Sequence, residues 1–230
     1  MISNPLKDHL TIDVETIPDQ RPDAIERARS RIKIPGNYSK PESIAKYLDE
    51  KAEEAWLKTS LDGTYGEVVC ATFVVEDQPT PVTVVRRLDE PEADFLVELW
   101  RRLTDALDDA YIREPIWVGH RVGSFDLRFL YHRSVVHGVR PPYDIRPDLK
   151  PWHPSVRDTS YMWTGEANSG IALDLLAEAL GIPSPKELFD GSQVWELVRD
   201  GRYDELVAYN QGDTLTTREV YRRLTFQATD

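Results

Sequence analysis

One short stretch near the start of the chain, residues 10–18, constrains the fold more than any other, because it predicts a β-strand that carries two acidic side chains. β-Branched residues favour the extended state, and a proline ends the stretch. Strand side chains alternate between two faces, so Asp13 and Glu15 share one face and Ile12 and Val14 share the other. Neighbouring carboxylates repel each other unless a cation lies between them, and carboxylate oxygens suit a divalent metal. The acidic pair is therefore a candidate metal site, or else a strand end that meets solvent.

The segments that follow predict a mixed α/β sheet with helices on both of its faces. Strands are expected at about 66–76, 81–88, 115–119 and 156–159. Helices are expected at about 21–33, 42–58, 92–108, 124–138, 171–180, 192–199 and 203–225. The first strand is expected to lie centrally, because later strands can pair on both of its sides. We interpret the chain as one domain, 1–230, with a helical insertion at about 20–65 and a proline-rich surface loop at 140–155.

The charge balance narrows the possible partners. The chain has a net charge of −12, which argues against a protein that coats nucleic acid non-specifically. It does not exclude a nuclease with a local basic patch. Two segments have a basic excess: 21–33, which is either a solvated helix face or a phosphate-binding arm, and 128–146 with Arg128, Arg133, Arg140 and Arg146.

The chain has a single cysteine, Cys70, within an apolar run, so it is expected in the core and without an intrachain disulfide. No apolar run approaches the roughly 18 residues of a membrane span. A reducing, cytoplasmic location and no membrane partner are therefore expected.

Two further acidic residues, Asp126 and Asp213, are candidates for a functional role. Asp126 follows a predicted strand end and a glycine-containing turn that also holds His120 and Phe125. It is either a functional acid or, with Ser124, a helix-capping residue. Asp213 stands four residues after Tyr209 on the last helix, so the two share a face, as a functional pair or as a surface contact.

Together these three stretches resemble the exonuclease motifs of the DEDD 3′–5′ exonuclease superfamily, which has a ribonuclease H-like fold. Asp13-x-Glu15 matches the first motif, the segment 120–126 matches the second, and Tyr209-x-x-x-Asp213 matches the third in its tyrosine (DEDDy) form. The chain resembles in particular the stand-alone predicted exonucleases related to the proofreading domain of B-family DNA polymerases. That resemblance implies a ribonuclease H-like mixed five-stranded sheet flanked by helices.

The resemblance also implies a two-metal hydrolysis of phosphodiester bonds with Mg²⁺ or Mn²⁺. The implied metal ligands are Asp13, Glu15, Asp126 and Asp213, and Tyr209 would orient the attacking water.

Four other residues are candidates for substrate contact. In the family, residues after the first motif contact the terminal nucleotide, which places Thr16 and Ile17 there, although Ile17 could equally be a core residue. Phe125 either stacks on a base or packs in the core. His120 contacts a phosphate or a base, or else supports another site residue.

The expected activity is removal of nucleotides from DNA 3′ ends, preferably single-stranded. An exoribonuclease is the alternative within enzymes, because related folds trim RNA. A degraded nuclease fold that serves as a non-catalytic binding module is the alternative outside enzymes. The expected partner is nucleic acid, with any polymerase or recombination partner left open.

Overall fold

The computed structural model describes residues 6–76, 78–165, 170–183 and 191–227. Its strands are β1 (His9–Ile17), β2 (Glu67–Val75), β3 (Val82–Val85), β4 (Ile116–Gly119) and β5 (Val156–Asp158). They form one five-stranded sheet in the order β3-β2-β1-β4-β5. β1 pairs antiparallel with β2 and parallel with β4, β3 pairs antiparallel with β2, and β5 pairs parallel with β4. The mixed sheet and the central position of the first strand are thus confirmed.

Eight helices are described along the same residues. They are α1 (Ala24–Ser30), α2 (Pro41–Leu57), α3 (Glu92–Asp109), α4 (Asp126–His137), α5 (Thr159–Thr164), α6 (Leu173–Ala179), α7 (Val194–Arg199) and α8 (Tyr203–Leu224). Seven of them match predicted helices, whereas α5 was not predicted. It has six residues, too few for an apolar period to show, and it begins at a local cap in which Asp158 accepts the amides of Ser160 and Tyr161.

The two faces of β1 pack against different helices. Leu10, Ile12 and Val14 belong to the large core cluster, which α3 and α4 complete from one side. On the opposite face, Ile17 packs with residues of α7 and α8. The period-2 alternation of the strand therefore separates a fully apolar face from the face that carries Asp13 and Glu15.

The helix predicted at 92–108 buries the side chains that its apolar pattern predicts. All six apolar side chains expected on its inner face are buried in α3, namely Phe95, Leu96, Leu99, Trp100, Leu103 and Leu107. Their spacing places them on one stripe of the helix, which covers β2 and β3. Gly138 ends α4, as predicted, and it adopts a left-handed conformation at φ 66°.

α1, α2 and a short 3-10 turn (Lys58–Leu61) lie between β1 and β2, where a helical insertion was expected. α1 is shorter than predicted. Gly66, directly before β2, closes this excursion tightly, because a Cβ there would lie 2.4 Å from the carbonyl oxygen of Thr59. A larger residue would push the insertion away from the sheet.

Three predictions of detail are corrected or limited. The proline-rich stretch 140–155 does not only run over the surface, because Ile145 and Leu149 are buried in the main core. β3 ends at Val85, three residues before the predicted end, and the side chain of the next residue, Arg86, is buried and pairs with Glu67. The hairpin loop predicted at 77–80 includes Asp77, which lies outside the described residues. No helix within the described ranges is both long and apolar enough to cross a bilayer.

Candidate active site

The acidic face of β1 points toward α8. Asp13 is half-buried, and its Oδ2 accepts a 2.6 Å hydrogen bond from Nδ2 of Asn210. Glu15, two residues along, is buried on the same face. The pairing register with β2 shifts directly after Glu15, so that the strand is bulged beside its second carboxylate. Bulges of this kind re-aim side chains at the edges of functional sites.

Asp126 reaches the central strand from the first residue of α4. Its Oδ1 accepts a 3.1 Å hydrogen bond from the backbone amide of Val14, which lies between the two acidic residues of β1. The capping alternative is not supported, because α4 has no side-chain cap and the Ser124 hydroxyl donates to the carbonyl of Arg121. The Asp126 carboxylate therefore joins the acidic face of β1.

α8 supplies the remaining members of the site from one buried face. Tyr209, Asn210 and Asp213 are all buried, and the Tyr209 side chain forms a hydrogen bond with Asp213. Asn210 lies between the cluster and β2, because its Oδ1 also faces Sγ of Cys70 at 3.4 Å. Cys70 is fully buried, as predicted. Asn210 was not predicted as a site residue from the sequence. The one feature of the sequence that could have indicated it is its position as a polar residue beside Tyr209 on a predicted helix.

These four carboxylates, from Asp13, Glu15, Asp126 and Asp213, are called the carboxylate cluster below. Burial raises the pKa of Asp13 well above its ordinary value, and the charges of Glu15, Asp126 and Asp213 raise it further. The hydrogen bond from Asn210 opposes that shift. Burial raises the pKa of Asp126 to about 7, although two backbone amides oppose it. The cluster is therefore short of positive charge and takes up protons unless a cation compensates it.

The hydroxyl of Tyr209 faces the same cluster. Its pKa is raised, first by burial and then by the charges of Glu15 and Asp213. The phenol consequently stays protonated at neutral pH. In this form its hydroxyl can donate one hydrogen bond, and its two lone pairs can accept hydrogen bonds. Gly191 lies beside it, with its Cβ position 4.0 Å from the hydroxyl oxygen.

The chemistry of these donors fits a hard divalent cation, since carboxylate oxygens are the ligands that Mg²⁺ and Mn²⁺ prefer. A bound cation would also offset the rise in the pKa of Asp13 and Asp126 that burial causes. Within the described ranges, no three His, Cys, Asp or Glu side chains stand in an arrangement that could hold one ion. Three of the carboxylates are engaged by protein donors, Asp13 by Asn210, Asp126 by the amide of Val14 and Asp213 by Tyr209.

The turn between β4 and α4 positions Asp126. Its backbone conformation depends on close packing at Gly119 and on a left-handed residue, Arg121. Gly119 cannot carry a side chain, because a Cβ there would lie 2.5 Å from Cβ of Val122. Arg121 adopts a left-handed conformation at φ 65°, and Asp158 accepts its backbone amide at 3.0 Å. Asp158 thus holds the turn as well as capping α5. It was not singled out in the sequence, where its Asp-Thr-Ser context is the signature of a helix cap.

His120 lies in this turn, and both of its ring nitrogens have partners inside the protein. Nδ1 is 2.9 Å from the hydroxyl of Thr159, and Nε2 is 2.7 Å from the carbonyl oxygen of Ile171. Of the two roles considered for His120, these contacts favour the supporting one. A contact with substrate stays a prediction.

The other candidate substrate contacts differ in exposure. Thr16 donates a 2.6 Å hydrogen bond to the carbonyl of Ser60 and lines an open groove with Leu61 and Trp195. Ile17 is fully buried, so the structure favours its core role over contact with a nucleotide. Phe125 is partly buried against the core and also lines a pocket beside α4. Both of its predicted roles remain compatible with that position.

Comparison with known families gives a match over most of the chain. The model of a family described as a predicted 3′-5′ exonuclease related to the exonuclease domain of PolB matches residues 59–229, about three quarters of the chain. The matched part includes Asp126, Tyr209 and Asp213, whereas Asp13 and Glu15 precede it. Comparison with curated protein sequences gives no match.

Proposed function

This chain belongs to the family of predicted 3′-5′ exonucleases related to the exonuclease domain of PolB, and from that premise we propose that it hydrolyses phosphodiester bonds from the 3′ end of DNA, preferably single-stranded. The observation that carries the proposal is the grouping of the carboxylate cluster with Tyr209. The four carboxylates come from β1, α4 and α8, which are far apart in the chain. The charges of Glu15, Asp126 and Asp213 all raise the pKa of Asp13. A buried group of like charges is costly for folding and is typical of functional sites.

Asp13, Glu15, Asp126 and Asp213 would hold two divalent ions, Mg²⁺ or Mn²⁺, once their side chains turn toward the ions, because no three described His, Cys, Asp or Glu side chains are grouped to hold an ion as they stand. When bound, such a pair lowers the pKa of an attacking water and neutralises the charge that develops on the leaving 3′ oxygen. Asn210 supports this arrangement from α8, because its amide group orients Asp13.

Tyr209 would align the attacking water. Its hydroxyl donates a hydrogen bond to Asp213, so its lone pairs are left to accept a hydrogen bond from a water molecule. A water held in this way presents its own lone pair in a fixed direction, which is the positioning that phosphoryl transfer requires.

The test is digestion of 5′-labelled DNA beside an RNA of the same sequence, each as a single strand and as a duplex, with Mg²⁺ or Mn²⁺. We expect a ladder of products shortened from the 3′ end, fastest with single-stranded DNA. Asp13→Asn and Asp213→Asn should each abolish hydrolysis and weaken Mn²⁺ binding. Faster digestion of RNA would establish the exoribonuclease instead. A metal-loaded protein that binds both strands and cleaves neither would be a non-catalytic binding module.

A further inference from the structure

The thiol of Cys70 lies behind the carboxylate cluster, in contact with Asn210. Cys70 on β2 pairs in register with Glu15 on β1, directly before the register shifts. Residues opposite each other in an antiparallel pair point to the same side of the sheet, so Cys70 lies on the acidic face of β1. Its Sγ is 3.4 Å from Oδ1 of Asn210, and both residues are fully buried. Solvent therefore does not compete for this contact.

The two ends of the Asn210 amide group have different partners. The oxygen faces the Cys70 thiol, and the nitrogen donates the 2.6 Å hydrogen bond to Oδ2 of Asp13. If the amide turned over, its oxygen would face the Asp13 carboxylate and its N–H groups would face the thiol hydrogen. Both contacts are unfavourable, because an acceptor would meet an acceptor and a donor would meet a donor. A proton on Cys70 therefore selects the orientation in which Asn210 donates to Asp13.

Cys70 keeps this proton at neutral pH. Burial raises the pKa of its thiol well above the ordinary value, and the charges of the two acidic residues of β1 raise it further. The next residue on the same face of β2, Thr72, does not take this role, because its hydroxyl lies 2.8 Å from that of Thr83. Within the part of the chain that the structure describes, Cys70 is thus the donor for Oδ1 of Asn210. Without it, a buried amide oxygen would lack a partner, which is costly in a folded protein.

We propose that Cys70 is a positioning residue for the metal ligand Asp13 and acts through the amide group of Asn210. The thiol fixes the amide, and the amide holds Oδ2 of Asp13 while Oδ1 remains for a divalent ion. This inference rests on the proposed function, because it concerns the ions of that same site. It gives the single cysteine of the chain a role beyond packing in the core.

Variants of Cys70 separate the hydrogen bond from packing. Cys70→Ser keeps a donor at this position, whereas Cys70→Val and Cys70→Ala remove the donor with a larger and a smaller apolar side chain. Val74→Ala is the control, because Val74 is buried on the same face of β2 and has no donor to lose. Calorimetry with Mn²⁺ measures the affinity of each protein for metal, and urea unfolding measures its stability separately.

Loss of the donor should weaken metal binding more than a packing defect does. Asn210→Ala should weaken Mn²⁺ binding about tenfold, as expected when a metal ligand loses its hydrogen-bond partner. Cys70→Val and Cys70→Ala should each weaken it about three- to fivefold, because a thiol is a weak donor and acts one contact further away. Cys70→Ser should bind Mn²⁺ within about twofold of the parent protein. Val74→Ala should lose stability with its affinity for Mn²⁺ unchanged.

A double-mutant cycle tests the route through Asn210. In the Asn210→Ala background, Cys70→Val should not weaken Mn²⁺ binding further, because the amide group through which it acts is absent. An additive loss would overturn the assignment. A Cys70→Ser protein that binds Mn²⁺ as weakly as Cys70→Val would also overturn it.

A parent protein that neither binds Mn²⁺ nor hydrolyses DNA would refute the proposed function itself. Exchange of the Asn210 side-chain amide protons with solvent, followed by NMR in chelator, still tests the inference in that case. These protons should exchange faster in Cys70→Val than in the parent protein and in Val74→Ala, because the amide group is no longer held. Equal exchange rates in all three proteins would overturn the role of Cys70.

Discussion

Three of the four carboxylates of the cluster each have an identified donor. Asn210 donates to Asp13, the amide of Val14 donates to Asp126, and the Tyr209 hydroxyl pairs with Asp213. Such hydrogen bonds stabilise the ionised form and oppose the rise in pKa that burial causes. Small neutral donors thus keep an acidic cluster compatible with the folded state.

Replacing Tyr209 with phenylalanine should damage chemistry more than metal binding. The ring stays in its buried position, while the hydroxyl that faces Asp213 is lost. We expect kcat to fall about 10–100-fold with the affinity for Mn²⁺ nearly unchanged, because only the alignment of the water is lost. Single-turnover hydrolysis beside Mn²⁺ titration measures both quantities, with Tyr221→Phe on the same helix as control. Full activity of Tyr209→Phe would make the tyrosine structural.

The raised pKa of Asp126 predicts how the metal-free protein responds to pH. The folded state holds the Asp126 proton up to a pH of about 7, whereas the unfolded chain releases it near pH 4. Between these values the folded state binds more protons, so the free energy of unfolding falls as pH rises, by on the order of a few kcal/mol in total. Asp126→Asn should flatten this fall in urea unfolding at pH 5–8 in chelator.

The exposed Asp204→Asn should keep the pH dependence of the parent protein. If Asp126→Asn instead shows the same slope as the parent, the proton is not held at Asp126.

At the scale of elements, one buried carboxylate joins four parts of the chain. Glu92 at the start of α3 accepts the amide of Val68 on β2 and the side chains of Arg133 and His137 on α4. Arg133 also donates to the carbonyl of Gly63 at the end of the insertion. The expected basic patch at 128–146 is therefore wrong for Arg133, which is a structural residue because its charge is neutralised inside the molecule.

Replacing Arg133 with methionine should be strongly destabilising. The substitution leaves the Glu92 carboxylate buried without its guanidinium partner, and breaking a buried pair in this way costs about 3–5 kcal/mol. Arg128→Met, on the exposed side of the same helix, should change the free energy of unfolding by less than about 0.5 kcal/mol. Chemical denaturation of the two variants gives the comparison, and equal stabilities would contradict the structural role of the pair.

At the scale of the whole molecule, the surface charge is strongly negative and many arginines are paired locally. Arg21 and Arg27 pair with Asp19, and Arg29 pairs with Asp49. The segment 21–33 is consequently better explained as a solvated, ion-paired helix than as a phosphate-binding arm. A polyanion must then approach where unpaired cations lie close to the cluster.

Divalent ions should stabilise the whole molecule, because they compensate a buried cluster that exists only in the folded state. At a hundredfold excess over the dissociation constant the gain is about 2.7 kcal/mol. For a chain of this size that corresponds to roughly 5–10 °C in Tm. Thermal melts with millimolar Mn²⁺, with chelator and with KCl of equal ionic strength test it, and Asp13→Asn should reduce the shift. A midpoint that does not respond to Mn²⁺ would count against the metal site.

The sequence alone determined those features that depend on neighbours within a few residues. The period-2 alternation of β1 placed Asp13 and Glu15 on one face, and the stripe of α3 named its buried side chains. Glycines marked the ends of helices, as at Gly138. These patterns are legible because strand and helix geometry repeats every two or 3.6 residues. The three motifs, taken as a family resemblance, also predicted the four acidic residues as site candidates.

Only the tertiary structure decided which side chains meet. Asn210 reaches Asp13 across 197 residues of chain, and Asp126 reaches Val14 across 112, so neither contact leaves a periodic trace in the sequence. Arg133 and Arg128 are residues of the same type on one helix. Arg133 is nevertheless buried in an ion pair, whereas Arg128 lines a pocket. Which side chains contact each other depends on where the packed sheet and helices bring distant residues together. The local spacing of residues in the sequence does not determine these contacts.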